Sequence, residues 1–215
     1  KLYLAETANR YTVSFNVNGG SGGQSSNVTA TYAANMPGIS TTKPTRAGYT
    51  FGGWYDTSSS SGGTQYYNAN CGSARTWNKA SNATLYARWT PNSYTVEYWN
   101  KAGTTKLSSD TGFKYDTARN LAAKPSSGVS TGYSAVGWST STNQSTASYG
   151  FGSSQKNLAT SGTKKLYLAE TANSYTVEYW NKAGTTKLSS DANFKYDTAR
   201  ALAAKPAIGV NAGYT

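Results

Sequence analysis

Side chains that carry most enzymatic chemistry are scarce in this sequence. There is no histidine, and the nine Asp and Glu residues are scattered along the chain. General acid–base and nucleophilic catalysis near neutral pH usually depend on histidine or on a carboxylate with a shifted pKa. Most of the acids are also repeat copies of one another, and a catalytic site duplicated along a chain is uncommon. The sequence therefore predicts a non-enzymatic protein with no catalytic residues.

Residues that bind metals or cofactors are also scarce. Cys71 is the single cysteine, so no disulfide can form within the chain, and a zinc site of the usual Cys and His ligands is not expected. We predict no metal site and no cofactor. Cys71 could cross-link to another chain, but a partly buried and inert thiol is the favoured interpretation because free cysteines are usually buried.

A lysine–asparagine isopeptide cross-link, assisted by a carboxylate, is a third candidate chemistry. Glu97 and Glu178 lie on predicted first strands, Lys165 borders a predicted last strand, and asparagines are plentiful. We favour the alternative, in which these charges occupy solvent-facing strand positions and discourage aggregation at sheet edges. An intact mass lower by one ammonia per bond would demonstrate the cross-link.

The long polar loop at 139–165 carries the residues with which the chain could contact a glycan. These are Tyr149 and Phe151, with Lys156 nearby. The two rings could equally dock onto their own domain. We favour docking because a loop of this length inside a compact domain must pack or stay disordered.

The net charge of +11 suggests an anionic partner. The basic residues are spread thinly, and no motif for reading nucleic acid is present. We expect no nucleic-acid partner, whereas weak multivalent attraction to an anionic polysaccharide or cell-wall polymer fits the charge. No apolar run approaches the ~20 residues of a membrane-spanning helix.

These residues sit on a repeated sequence. KLYLAETAN occurs at 1–9 and again at 165–173, and SYTVEYWNKAGTTKLSSD occurs at 93–110 and 174–191. The repeats predict four segments: the last strand of a preceding repeat at 1–9, repeat domains at 10–92 and 93–173, and the first half of a truncated third repeat at 174–215. A period near 80 residues lets each repeat bury a small core of its own. Because the joints TPNS and TANS are short, we expect stiffly linked beads on a string, with neighbouring repeats or chains as partners.

Each repeat reads as strands joined by polar turns. YTVSFNV (11–17) alternates apolar and polar residues, which is typical of a half-buried strand. DTARNLAAKP (116–125) reads as a short helix that Asp116 or Thr117 could cap and Pro125 could end. The resulting order is β-β-α-β-β, which predicts a small sheet with one helix packed across it.

Three stretches of the first repeat, YTVSFNVNGG, KPTRAGYTFGGWY and NATLYARW, resemble the Listeria–Bacteroides repeat, also called the internalin B-repeat. The second repeat is a divergent relative that has Glu170 where the first has Trp89. The residues that define the resemblance, and that we expect to define the fold, are Gly48, Tyr49, Trp54 and Trp89 in the first repeat and Gly132, Tyr133 and Trp138 in the second. The resemblance implies an α+β, β-grasp-like domain, used in tandem on secreted bacterial surface proteins and lacking enzymatic activity.

The function expected from these features is mechanical. We predict an extracellular stalk or spacer at the bacterial cell surface that projects a functional part from the cell. Two alternatives stay open, a multivalent adhesin for anionic glycans or cell-wall polymer and a segment of an extracellular filament.

Overall fold

The computed structural model describes residues 1–204, and within them the chain is folded as strands, turns and loops without a helix. The strands are β1 (Arg10–Asn16), β2 (Val28–Thr31), β3 (Tyr49–Tyr55), β4 (Gln65–Tyr67), β5 (Ala83–Pro91), β6 (Ser93–Trp99), β7 (Lys106–Lys114), β8 (Arg119–Asn120), β9 (Tyr133–Ser139), β10 (Ser154–Gln155), β11 (Gly162–Ala172), β12 (Ser174–Trp180) and β13 (Lys187–Lys195). Among these residues, no helix has the length and apolar character needed to cross a membrane.

The first repeat forms a five-stranded sheet with the order β2-β1-β5-β3-β4. Strands β1 and β5 pair in parallel at its centre, and β3 runs antiparallel to β5. The alternation predicted for 11–17 places Val13 in the core, with Tyr11, Phe15 and Val17 packed against it. Aromatic rings supply much of the rest, since Trp54 and Trp77 are fully buried and Phe15 meets Trp54 edge-to-face at 5.0 Å.

The second repeat forms a four-stranded sheet with the order β7-β6-β11-β9, and β8 pairs separately with β10. Strands β9 and β11 are antiparallel, with Tyr133 opposite Ala172. In the first repeat, Tyr49 lies opposite Pro91 in the same way. Both repeats therefore begin their third long strand at an equivalent place in the sheet.

The segments 1–9 and 165–173 share a sequence and differ in structure. Residues 165–172 are part of β11, where Leu166 and Leu168 are fully buried. Residues 1–9 form no strand, and Leu2 and Leu4 are exposed. The hairpin β12–β13 likewise repeats the sequence of β6 and the start of β7. AGYT occurs at 47–50 and again at 212–215, and the second copy lies outside the described residues.

The chain divides into two compact units whose bounds differ from those of the repeats. Unit 1 contains residues 1–95 together with 111–118 and 156–163, and unit 2 contains the remainder. Two segments of the second repeat thus pack within the unit built on the first repeat. The four-segment division at 1–9, 10–92, 93–173 and 174–215 stays a prediction.

The helix predicted over 116–125 was wrong. Asp116 has a left-handed backbone with φ 56°, which a residue at a helix start does not adopt. The segment continues as β8, which pairs with β10, and Leu121 is 3% exposed. Two aromatic side chains hold the backbone of this segment at Ala122. The Ala122 N–H donates to Tyr98 Oη at 3.0 Å, and the Ala122 carbonyl accepts from Trp138 Nε1 at 2.9 Å.

The predicted fold class was wrong for the same reason. The structure is all-β with several sheets, so the α+β class and the β-grasp-like β-β-α-β-β unit are not supported. The apolar spacing of Ala118, Leu121 and Ala122 resembles a helical face. Ala118 instead lies between a turn and β8, and Leu121 and Ala122 follow β8. Short apolar runs of this kind do not distinguish helix from strand.

Candidate functional site

The most distinctive site is the corner at which β3 and β9 begin. We call Gly48 with Tyr49, and Gly132 with Tyr133, the Gly-Tyr corners. Both glycines have φ of +77°, a backbone that glycine adopts without steric cost. A Cβ at Gly48 would overlap the ring of Tyr115, and one at Gly132 would overlap the ring of Tyr196. Only glycine fits this close approach.

Two backbone hydrogen bonds link each corner, through an asparagine, to a tyrosine further along the chain. Asn92 donates its N–H to Gly48 O, and Tyr115 donates its N–H to Asn92 O, both at 2.9 Å. In unit 2, Asn173 donates to Gly132 O, and Tyr196 donates to Asn173 O, again at 2.9 Å. We call each set of contacts a junction.

The rings and side chains at the two junctions match as closely as the backbone. Tyr49 and Tyr115 meet edge-to-face with centroids 5.5 Å apart and planes at 72°. The corresponding pair, Tyr133 and Tyr196, lies at 5.6 Å and 73°. The Asn side chain is also held in both: Thr50 Oγ1 donates to Asn92 Oδ1 at 2.6 Å, and an equivalent Ser–Asn bond of 2.5 Å is present in unit 2.

The junction in unit 1 has a further polar contact. Tyr49 Oη donates to Asp116 Oδ2 at 2.6 Å, and Asn157 Nδ2 donates to Asp116 Oδ1 at 2.8 Å. Asn157 Oδ1 also accepts the Asp116 N–H at 2.6 Å. The hydrogen bond from Tyr49, followed by that from Asn157, lowers the pKa of Asp116, and the same bond raises the pKa of Tyr49.

A cation lies over each corner tyrosine. The Arg46 guanidinium is 4.0 Å from the centre of the Tyr49 ring, and the Lys101 ammonium is 4.5 Å from the centre of the Tyr133 ring. A cleft of about 390 Å³ opens beside Arg46 and Tyr49, and one of about 240 Å³ opens beside Lys101 and Tyr133. The two tyrosines therefore border both a junction and a cleft.

Comparison with known proteins finds a family match over the repeat that contains the first of these corners. Residues 11–88 match the Listeria-Bacteroides repeat domain. The match covers the first repeat and supports the resemblance inferred from its sequence. The internalin B-repeat assignment and a tandem arrangement go beyond the match and stay predictions.

Two relatives come from the bacterium Evansella cellulosilytica. One carries the name "Putative membrane protein" and is 31% identical over 140 residues, which is 65% of this chain and 19% of the relative. The other carries the name "Putative Gly-rich membrane protein" and is 31% identical over 137 residues, 64% of this chain and 14% of the relative. The chain spans less than a fifth of the length of either.

The Listeria-Bacteroides repeat domain is a repeat family rather than a catalytic one, which favours a non-enzymatic role. Among residues 1–204, no three His, Cys, Asp or Glu side chains lie close enough together to hold a metal ion. Cys71 is buried, and burial raises the pKa of its thiol. A raised pKa disfavours the reactive thiolate.

The predicted fold-defining tryptophans are buried. Trp54 is 0% exposed and Trp138 is 1% exposed. Trp89 packs beneath the Arg46 cleft and donates Nε1 to Val17 O at 3.0 Å. At the equivalent position of the second repeat, Glu170 is fully buried and accepts the Ser130 N–H at 3.2 Å through Oε1, while its Oε2 has no partner among the described residues.

The predicted glycan residues do not form one cluster with the corners. Phe151 packs edge-to-face on Trp138 at 5.6 Å, and Tyr149 bonds to Trp138 through its backbone. Lys156 is exposed and belongs to unit 1, whereas both rings belong to unit 2. A glycan contact at these three residues stays a prediction.

The two glutamates considered for an isopeptide bond form ion pairs, and the lysine contacts the face of a tryptophan ring. Glu97 pairs with Lys106 at 3.2 Å, and Glu178 pairs with Lys187 at 3.2 Å. The Lys165 ammonium is 4.6 Å from the centre of the Trp99 ring. These contacts suit surface strand positions, and the cross-link stays a prediction.

Sequence reasoning missed half of each junction. It singled out the glycine and tyrosine of the corners, but not Asn92, Tyr115 or their counterparts, and it assigned Asp116 to a helix cap. The signal was present, because Asn recurs at 9, 92 and 173 and Tyr at 32, 115 and 196, always at the repeat spacing. The recurring bond from Tyr32 N–H to Asn9 O, also 2.9 Å, shows the same local geometry.

Proposed function

We propose that this chain is a spacer region of a bacterial surface or membrane-associated protein, and that it acts mechanically by resisting bending and extension. The family match at 11–88 and the membrane-protein names of the two relatives support the location. The observation that carries the mechanical role is the recurrence of the junction. A flexible linker would not need the same glycine, asparagine and tyrosine contacts twice.

The junction has the properties of a structural joint rather than a loose tether. It combines two backbone hydrogen bonds, an edge-to-face tyrosine pair and a side-chain bond to the asparagine, all recurring in both compact units. Hydrogen bonds contribute about 1 kcal/mol each, and aromatic pairs contribute about 0.5–1.5 kcal/mol beyond their buried area. Together these contacts limit local bending without any covalent cross-link.

Substituting the corner glycines tests this role. Gly48→Ala with Gly132→Ala should weaken both junctions, because each alanine would hold a left-handed backbone and overlap a tyrosine ring. Small-angle X-ray scattering should show a broader distribution of molecular dimensions. The matched control is Gly38→Ala with Gly150→Ala, where a Cβ meets no atom within 4 Å. Equal scattering from the two double variants would contradict the mechanical role.

An adhesive role is the second candidate, and the cation over each corner tyrosine favours it. Arg46 and Lys101 each line a cleft that polar side chains also line, in a chain with net charge +11. Weak contacts of this kind become useful when they recur along one chain, because binding at one site raises the effective concentration at the next.

A further inference from the structure

The clefts beside the two corner tyrosines occupy equivalent positions in the two repeats. The first is bordered by Asn18, Arg46, Tyr49, Trp89 and the serines at 58–60. The second is bordered by Asn100, Lys101, Ser130, Tyr133 and Asn143. Each lies between the turn after the first strand and the loop after the strand that starts at the Gly-Tyr corner. Each is contained within a single compact unit.

The cation in the two clefts comes from different positions of the repeat. Aligning the repeats places Asn18 opposite Lys101 and Arg46 opposite Ser130. The first repeat thus has its cation before the corner and an amide in the turn, whereas the second has its cation in the turn and a hydroxyl before the corner. Although the cation comes from different positions, each repeat has one cation over its corner tyrosine.

Neither cation is neutralised by an ion pair. Among the described residues, no carboxylate oxygen lies within 4 Å of Arg46 or Lys101. Their polar contacts are to carbonyl oxygens, Asn18 O at 3.4 Å from Arg46 Nη1 and Glu170 O at 3.5 Å from Lys101 Nζ. Two acids lie near these cations. Asp116 accepts from Tyr49 and Asn157. Glu170 is fully buried and accepts the Ser130 N–H through Oε1, while its Oε2 has no partner among the described residues.

We propose that each cleft binds one anionic group of an acidic polysaccharide, with Arg46 or Lys101 supplying the charge. The tyrosine ring holds the cation in place, because a cation over an aromatic face is attracted to it. Serine hydroxyls at 58–60 and the Asn143 amide border the clefts, and such groups hydrogen-bond sugar hydroxyls. This site deepens the adhesive candidate described above and rests on it.

The number of sites determines how binding should behave. With one site in each repeat, a polymer carries enough anionic groups for both sites of one chain, whereas a single acidic sugar can occupy only one. Avidity then makes the polymer bind far more tightly than the monosaccharide. If charge attraction alone were responsible, the affinity for the polymer would depend on net charge and would fall equally whichever basic residue was removed.

The test compares pairs of variants with equal net charge. The cleft variant carries Arg46→Gln and Lys101→Gln. The control carries Arg75→Gln and Lys124→Gln: Arg75 lies 5.6 Å from the Tyr66 ring centre, and Lys124 is exposed. The probes are polygalacturonate, sulfated dextran and poly(glycerol phosphate), with neutral dextran as a blank, titrated onto the full chain by calorimetry at physiological salt.

We expect the cleft variant to lose affinity by at least about tenfold, the scale of a lost charge-assisted hydrogen bond, while the control changes by less than about twofold. The probe that binds most tightly identifies the anionic group as carboxylate, sulfate or phosphate. Equal losses in both variants, or no saturable binding of any probe to the unmodified chain, would overturn the site. Arg46→Lys should retain binding in the first repeat.

Scattering separates this outcome from failure of the spacer. If the cleft variant loses binding but keeps the dimensions of the unmodified chain, the clefts act as binding sites and the junctions are intact. If its dimensions broaden to those of the corner-glycine variants, the cations support the tyrosines rather than a ligand, and the binding proposal fails.

Discussion

The hydrogen bond between Tyr49 and Asp116 adds to the junction of unit 1 separately from its backbone geometry. Asp116 accepts hydrogen bonds from Tyr49 and Asn157, and both favour its charged form. At the equivalent of Asp116, the first repeat has Ala33, which also adopts a left-handed backbone with φ 62°. The backbone geometry of the turn therefore does not require a carboxylate, and the polar bond is a separate contribution.

This bond makes the unit 1 junction sensitive to acid. The pKa of Asp116 lies below its ordinary value of 3.8 because Tyr49 and Asn157 donate to the carboxylate. A depressed pKa in the folded state contributes stability above the unfolded value, and that stability is lost as pH falls through the folded value. The coupling between Tyr49→Phe and Asp116→Asn, measured from melting temperatures, should be present at pH 7 and absent well below pH 3.8. Equal coupling at both pH values would contradict this assignment.

At the scale of elements, the strands that flank a core were predictable and the segment between them was not. YTVSFNV and its counterparts alternate cleanly, so their strands followed from period-two burial. The segment at 116–125 carries alanines and a leucine at a spacing that suits a helix. Its structure is decided by partners distant in sequence, β10 and the Tyr98 and Trp138 side chains. Local propensity cannot include such partners.

The same distinction applies to the candidate site. The corner glycine and tyrosine could be recognised from the sequence because they belong to a family motif. The cation over the tyrosine could not, because Arg46 and Lys101 occupy different positions of the repeat. Only the folded sheet shows that these positions converge on one cleft.

Leu121 anchors the segment that replaces the predicted helix. It is 3% exposed, and its N–H bonds to Ser153 O at 3.0 Å. Leu121→Ala should lower the free energy of unfolding by about 2–5 kcal/mol, the usual cost of truncating a buried leucine. The matched control is Leu107→Ala on β7, where the leucine is only half-buried. Chemical denaturation monitored by tryptophan fluorescence measures both, and equal losses would mean that this segment does not pack as the structure shows.

At the scale of the whole molecule, repeat boundaries and compact units do not coincide. Residues 111–118 and 156–163 follow the first repeat in sequence, yet they belong to unit 1. Tyr94 and Phe113, whose rings lie 5.4 Å apart, belong to that unit as well. A repeat of this kind is therefore stabilised partly by residues that sequence periodicity assigns to its successor.

A fragment of residues 10–92 should consequently be less stable than the same residues in the full chain. It contains the five strands of the first sheet but lacks Tyr115, Asp116 and Asn157, so the junction ring pair and its polar bonds are absent. Hydrogen exchange at the amides of β3 and β5 reports on this sheet in both molecules. We expect faster exchange in the fragment, and intermediate exchange in the full chain carrying Gly48→Ala, because that variant keeps the sequence but weakens the junction. Equal protection in all three would mean that each repeat is stabilised by its own residues alone, and the junction would then serve as a linker without structural consequence.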